Sequence, residues 1–131
     1  MSARAGKIGS RGARRAIRLK RVYEEPAAED GMRVLIDRLW PRGLSRQEAG
    51  ADLWLKDVAP SNGLRRWYGH DPRRWKRFEE KYREELAEKP EVLRTLDDLR
   101  RRSPLTLLYG AHDTAQNNAV VLRDVLDKGE F

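Results

Sequence analysis

The chain has 131 residues, room for one domain with a sizeable core and too few for two. It has no cysteine and only two histidines, which excludes disulfides, thiolate catalysis, zinc–thiolate sites and a histidine-rich metal centre. The net charge of +7 is unevenly placed: eight of the 28 Lys and Arg fall in residues 1–21, which hold no acid, and the other 20 nearly balance 21 Asp and Glu.

Residues 1–15, rich in Arg, Gly, Ala and Ser, are expected to form a disordered basic arm. Through residues 1–21 the chain would touch nucleic acid weakly, by counterion release. Residues 16–131 are expected to form a single domain. Charged residues make up 37% and the mean hydropathy is −0.85, yet four Trp and four Tyr remain to fill an interior. No apolar run approaches the roughly 18 residues of a membrane helix, and a cytoplasmic protein without membrane contact is expected.

In chain order, Ile17, Leu19 and Val22 alternate with Arg18, Lys20 and Arg21 as in a half-buried strand. Asp30-Gly31 marks a turn, and the consecutive Val34, Leu35 and Ile36 predict a central strand covered on both faces. Pro41 and Gly43 stop it, and Ser45 caps a short helix. Residues 52–58 alternate like an edge strand, with Leu53, Leu55 and Asp57 on one side. Ser61 caps a second short helix that ends at Gly69. Asp71-Pro72 starts a long helix whose Trp75, Phe78, Tyr82 and Leu86 form a core stripe. Lys89-Pro90 separates it from a helix carrying Val92, Leu93, Leu96 and Leu99. Residues 104–111 give a second apolar strand, and a last helix capped at Asp113 or Thr114 runs to Gly129 with Ala115, Ala119, Leu122 and Leu126 inward. This alternation predicts an α/β fold: a single three-layer domain with a small, mostly parallel sheet of about four strands flanked by helices.

In such sheets ligands collect beyond the carboxyl ends of the strands, which singles out "DRLWPRG" and "GAHDT". Asp37 at the end of a buried strand needs a partner; Arg42 is the expected one, with Arg38 as the other candidate and Trp40 as a wall. His112 and Asp113 stand beside a strand-to-helix turn suited to an anion. His70 and Asp71 open the long helix, whose first turns hold Arg73, Arg74 and Arg77 and whose last turns hold Glu84, Glu85 and Glu88, against the helix dipole. An anion bound near His70 would account for that order.

The stretches "RVYEEPAAEDGMRVLIDRLWPRGLS", "WLKDVAPSNGLRRWYGHDPRRWKRFEEKYREEL" and "LTLLYGAHDTAQNNAVVL" closely resemble the YeaO-like proteins, a branch of domain-of-unknown-function family 488. The resemblance covers about residues 17–127 and implies a small bacterial or archaeal cytoplasmic α/β domain. In more distant members the first apolar strand leads to an Asp-x-Arg and the last to a Cys-His-Arg. The corresponding places here hold Asp37 with Arg38, and Gln116, Asn117 and Asn118, so thiol chemistry does not carry over.

The leading expectation is a pocket for a phosphorylated or nucleotide-like anion, with Arg38, Trp40, Arg42, Asp71, Asp113 and Asn117 binding it. Whether anything is turned over stays open at this point; if it is, His70 or His112 acts as acid or base and Asp37 or Asp71 orients it. No cofactor or metal is expected, although Asp37, Asp71, Asp113 and the histidines would suit a hard cation if they met. The alternatives are a nucleic-acid accessory protein using the arm with Arg65, Arg66, Arg73, Arg74 and Arg77, and a partner-binding domain without ligand.

Overall fold

The computed structural model describes residues 12–131. Four strands, β1 (Arg18–Arg21), β2 (Met32–Leu35), β3 (Leu53–Trp54) and β4 (Leu105–Tyr109), form one sheet in the order β1-β4-β2-β3. Every pairing is parallel, with Lys20 opposite Leu108, Leu35 opposite Leu108 and Leu35 opposite Trp54. The two apolar strands expected from the sequence, β2 and β4, are the inner pair. Their Val34, Leu35, Leu107 and Leu108 are fully buried. Burying one such side chain contributes about 1.5–3 kcal/mol.

The helices are α1 (Arg46–Ala49), α2 (Asn62–Tyr68), α3 (Trp75–Ala87), α4 (Pro90–Arg102) and α5 (Asn118–Lys128). The layers they make are unequal. On one face Ile17, Val34, Leu107 and Tyr109 join Phe78, Tyr82, Leu96 and Leu122 from α3, α4 and α5 in the main core. On the other face, among the described residues, Val22, Leu35 and Leu108 pack with Ala49 of α1 and with the partly buried Trp40, Leu44, Ala51 and Trp54. Ile17 and Val22 therefore serve opposite faces, as strand alternation requires.

Local signals place most helix starts. Ser45 and Glu48 form a reciprocal capping box on α1, and Ser61 Oγ accepts from the Leu64 N–H on α2. Asp71 accepts from the Arg73 N–H and opens a 3₁₀ turn, Pro72–Arg74, that leads into α3. Gly31 has φ +63°, and a Cβ there would collide with the Pro104 carbonyl; the expected turn needs glycine.

Three boundaries differ from expectation. The third strand pairs over only two residues before Lys56–Val58 turns as a 3₁₀ helix, because Val58 swings inward and its carbonyl accepts from the Tyr82 hydroxyl at 2.6 Å. The last helix begins at Asn118, capped by Asn117, rather than at Asp113. Asp113 instead accepts from the Ala115 and Gln116 N–H groups in a turn, which leaves Ala115 exposed. Of the expected arm, residues 1–11 lie outside the described residues. Arg15 is docked, donating to the Arg101 carbonyl at 2.8 Å, and Arg14 pairs with Asp97.

The inverted charges of α3 have a tertiary use. Glu85, near its acidic end, accepts from both the backbone N–H and the hydroxyl of Ser61, so it reinforces the start of α2. Arg83 reaches Asp124 on α5 at 2.7 Å.

Candidate functional site

A cavity of about 620 Å³ opens beyond the carboxyl ends of β2 and β4. The chain after β2 supplies Asp37, Arg38 and Leu39; the chain after β4 supplies Gly110, Ala111, His112 and Asp113. Asn117 and Asn118 come from the start of α5, and Arg65, Arg66 and Tyr68 from α2. Gly69, His70, Pro60 and Phe78 complete the wall. Its size is that of an ordinary small-molecule site, and its apolar part includes Tyr68 stacked on Phe78 with ring centroids 4.4 Å apart.

The strand pairing of β2 has ended at Leu35, so Asp37 and Arg38 need not leave opposite faces, and both line the cavity. Asp37 is held by neutral donors. Its Oδ2 accepts from the Gly110 N–H at 2.8 Å and its Oδ1 from the Asn118 side-chain amide at 3.0 Å. The same amide also donates to the Ile36 carbonyl, and the Trp54 indole donates to the Asp37 carbonyl. Burial lifts the Asp37 carboxyl above its ordinary value; the donations from Asn118 and Gly110, and the nearby His70, oppose that without cancelling it.

The expected Asp37–Arg42 clamp is absent. Arg42 is exposed, and its carbonyl accepts from the Tyr23 hydroxyl. Trp40 lies on the thin face of the sheet, edge-on to Trp54 at 5.2 Å, with its indole donating to the Leu44 carbonyl. Neither lines the cavity, because the chain after Leu39 crosses to the other face of the sheet. Arg38 lines it but donates to the Pro60 and Ala59 carbonyls, which fixes the approach to α2. Asp71 is not in the wall either; it holds Arg73 at 3.0 Å, and that arginine together with the Arg73 N–H lowers its carboxyl.

His70, His112, Asp113 and Asn117 do line the cavity. His70 has φ +58°, directly after Gly69 in the same left-handed region, so the turn that presents it is strained for a residue with a Cβ. Asp113 is committed to its turn, and the two backbone N–H donors there hold its carboxyl down. Asn117 caps α5 through the Val120 N–H.

The family model described as DUF488-N3i, "Inactive DUF488-N3 subclade", matches residues 16–129. The chain belongs to that family. It is 42% identical over 110 residues to "Uncharacterized protein YeaO" of Escherichia coli, covering 84% of this chain and 96% of the relative. It is 40% identical over 111 residues to "Uncharacterized protein Rv3073c" of Mycobacterium tuberculosis, covering 85% of this chain and 93% of the relative. No solved structure matches the chain significantly.

For this DUF488-N3i chain the structure adds three residues to the expected site. Asn118 clamps Asp37, and Arg65 and Arg66 bring positive charge to the wall. The Nε of Arg65 is buried and has no hydrogen-bond partner among the described residues, while its Nη2 donates to Asn62 at 3.3 Å. The sequence signal for these arginines is the buried pair Leu64 and Tyr68, one turn apart, which sets the neighbouring Arg65 at the edge of the packed face. The remaining arginines of the basic cluster are engaged locally: Arg73 and Arg74 with Asp71, and Arg77 with Glu80. Among the described residues no three of His, Asp and Glu are gathered as metal ligands, and no helix is long and apolar enough to cross a membrane.

Proposed function

We propose that the protein binds a small anionic molecule, phosphorylated or nucleotide-like, in the cavity beyond β2 and β4 and holds it without turnover. The observation that carries this reading is Arg65, which lines the cavity with a cationic side chain whose buried Nε has no hydrogen-bond partner among the described residues. A buried donor left unsatisfied costs about 1–3 kcal/mol, more for a charged group, and an anionic oxygen would recover that. Arg66, His70 and His112 in the same wall favour negative charge. Binding without turnover is supported by the word "inactive" in the family's description and by the lack of any cysteine. A cytoplasmic location belongs to the same reading and is supported by the cysteine-free composition.

The test is a thermal-shift screen of the full chain against nucleoside monophosphates, sugar phosphates and sulfate. A ligand at 100 times its Kd adds about 2.7 kcal/mol, which raises Tm by on the order of 10 °C for a domain of this size. The shift is expected to vanish in Arg65→Gln and to persist in Arg42→Ala. No shift with any anion, or a shift that survives Arg65→Gln unchanged, would end the reading.

A further inference from the structure

The cavity wall holds two unmet polar groups of opposite kind. One is the Arg65 guanidinium, whose buried Nε has no acceptor among the described residues. The other is the Asp37 carboxylate. Among the described residues it forms no ion pair with any Lys or Arg, whereas the buried Asp30 holds Arg33 at 2.6 Å and Asp97 holds Arg100 at 3.1 Å. Each Asp37 oxygen accepts one neutral hydrogen bond, and an ionised carboxylate has about four acceptor positions in all. Capacity therefore remains on the carboxylate for a donor.

A simple anion would satisfy Arg65 and leave Asp37 uncompensated, with a second negative charge brought into the same cavity. A ligand with an N–H donor as well as its anionic group satisfies both. Resting on the anion-binding reading above, we propose that the ligand is an anion bearing an N–H donor, with the donor placed on Asp37 and the anionic oxygen on Arg65. The N–H can come from an ammonium, as in an amino acid phosphomonoester, or from a heterocycle, as in a nucleotide; the chemistry Asp37 selects is the same. Asp37 is then the residue that determines specificity, and Arg65 the one that supplies affinity. Cavity walls of Tyr68 and Phe78 accommodate either body.

Two matched ligand pairs test this on the full chain by titration calorimetry. O-phosphoserine is compared with 3-phosphoglycerate, which has a hydroxyl in place of the ammonium. Guanosine 5′-monophosphate is compared with ribose 5-phosphate, which lacks the base. In at least one pair the N–H-bearing member is expected to bind tenfold or more tighter, and the pair that discriminates tells the ammonium source from the heterocyclic one. In Asp37→Asn the preference should collapse to within about twofold, with the N–H-free member binding no more weakly than to the wild type. Equal affinities within both pairs in the wild type overturn this inference and leave anion binding standing, as does an Asp37→Asn variant that weakens both members alike. Binding of none of the four, nor of inorganic phosphate, overturns both. If Asp37→Asn does not fold, the wild-type comparison alone decides.

Discussion

Asn118 donates its side-chain amide to Asp37 at 3.0 Å across 81 residues of sequence, and so ties the first residue of α5 to the chain leaving β2. The bond serves a carboxylate that has no Lys or Arg partner among the described residues, which makes the amide worth more than an exposed one. Asn118→Ala is expected to lower stability by about 1–3 kcal/mol in urea unfolding. Asn118→Asp should cost more, because two carboxylates would then meet. An unchanged midpoint for both variants would show that Asp37 is held by Gly110 alone.

Asp37 also fixes a pH dependence. Burial raises its folded-state value, so protonation favours the native chain. That contribution is full below the ordinary Asp value and is lost as pH rises through the higher folded value. The stability of the wild type minus that of Asp37→Asn should therefore fall as pH increases across this window. The subtraction matters because Asp30 and Asp97 run the other way. Burial pushes both up, but at Asp30 the Ala27 N–H, Lys20 and Arg33 outweigh it, and at Asp97 Arg101 and Arg100 do. Their contribution is present above the ordinary Asp value and is lost as pH falls through the lower folded one. Urea melts of both proteins at a series of pH values measure the difference; a flat or rising curve contradicts the assignment.

Arg33 is 4% exposed and donates to Asp30, to the Gly50 carbonyl and to the Ala49 carbonyl. It thereby pins α1 to β2. Arg33→Met keeps the stem and removes the charge, leaving Asp30 and two carbonyls short of a donor. A loss of about 3–5 kcal/mol is expected, read from the denaturation midpoint. A loss under about 1 kcal/mol would mean that Lys20 alone satisfies Asp30.

Ser61 joins α2 to α3 through Glu85, so its removal should exceed the effect of an ordinary cap. Ser61→Ala deletes the acceptor for the Leu64 N–H and the hydroxyl that donates to Glu85. The expected cost is about 2 kcal/mol, the upper end for a lost cap. In Glu85→Ala the same substitution should cost only the ordinary cap, about 1 kcal/mol. Equal costs in both backgrounds would deny the coupling.

What could be read in the sequence was what is decided locally. The inner strands follow from unbroken apolar runs, and the starts of α1, α2 and α3 follow from Ser45, Ser61 and Asp71, whose side chains act within three residues. The start of α5 was misplaced for the same reason. Asp113 accepts from backbone N–H groups just as a cap does, but in a turn, and Asn117 caps the helix four residues on. The loops that build the site were legible as a group, since parallel strands must deliver their carboxyl ends to one side. Individual partners were not. Arg42 is near Asp37 in sequence but is carried to the opposite face, whereas Gly110 and Asn118 reach Asp37 from 73 and 81 residues away. Only the folded chain reveals such distant partners.

The strand order has a consequence during synthesis. β1 and β2 are consecutive in sequence yet do not pair; β4 lies between them and pairs with both. Until Leu105–Tyr109 leaves the ribosome, β1 has no neighbour, and Gly110 and Asn118 cannot close on Asp37. The growing chain therefore has no completed sheet and no closed cavity for most of its length, and the carboxyl ends of the strands stay open until the last segment arrives.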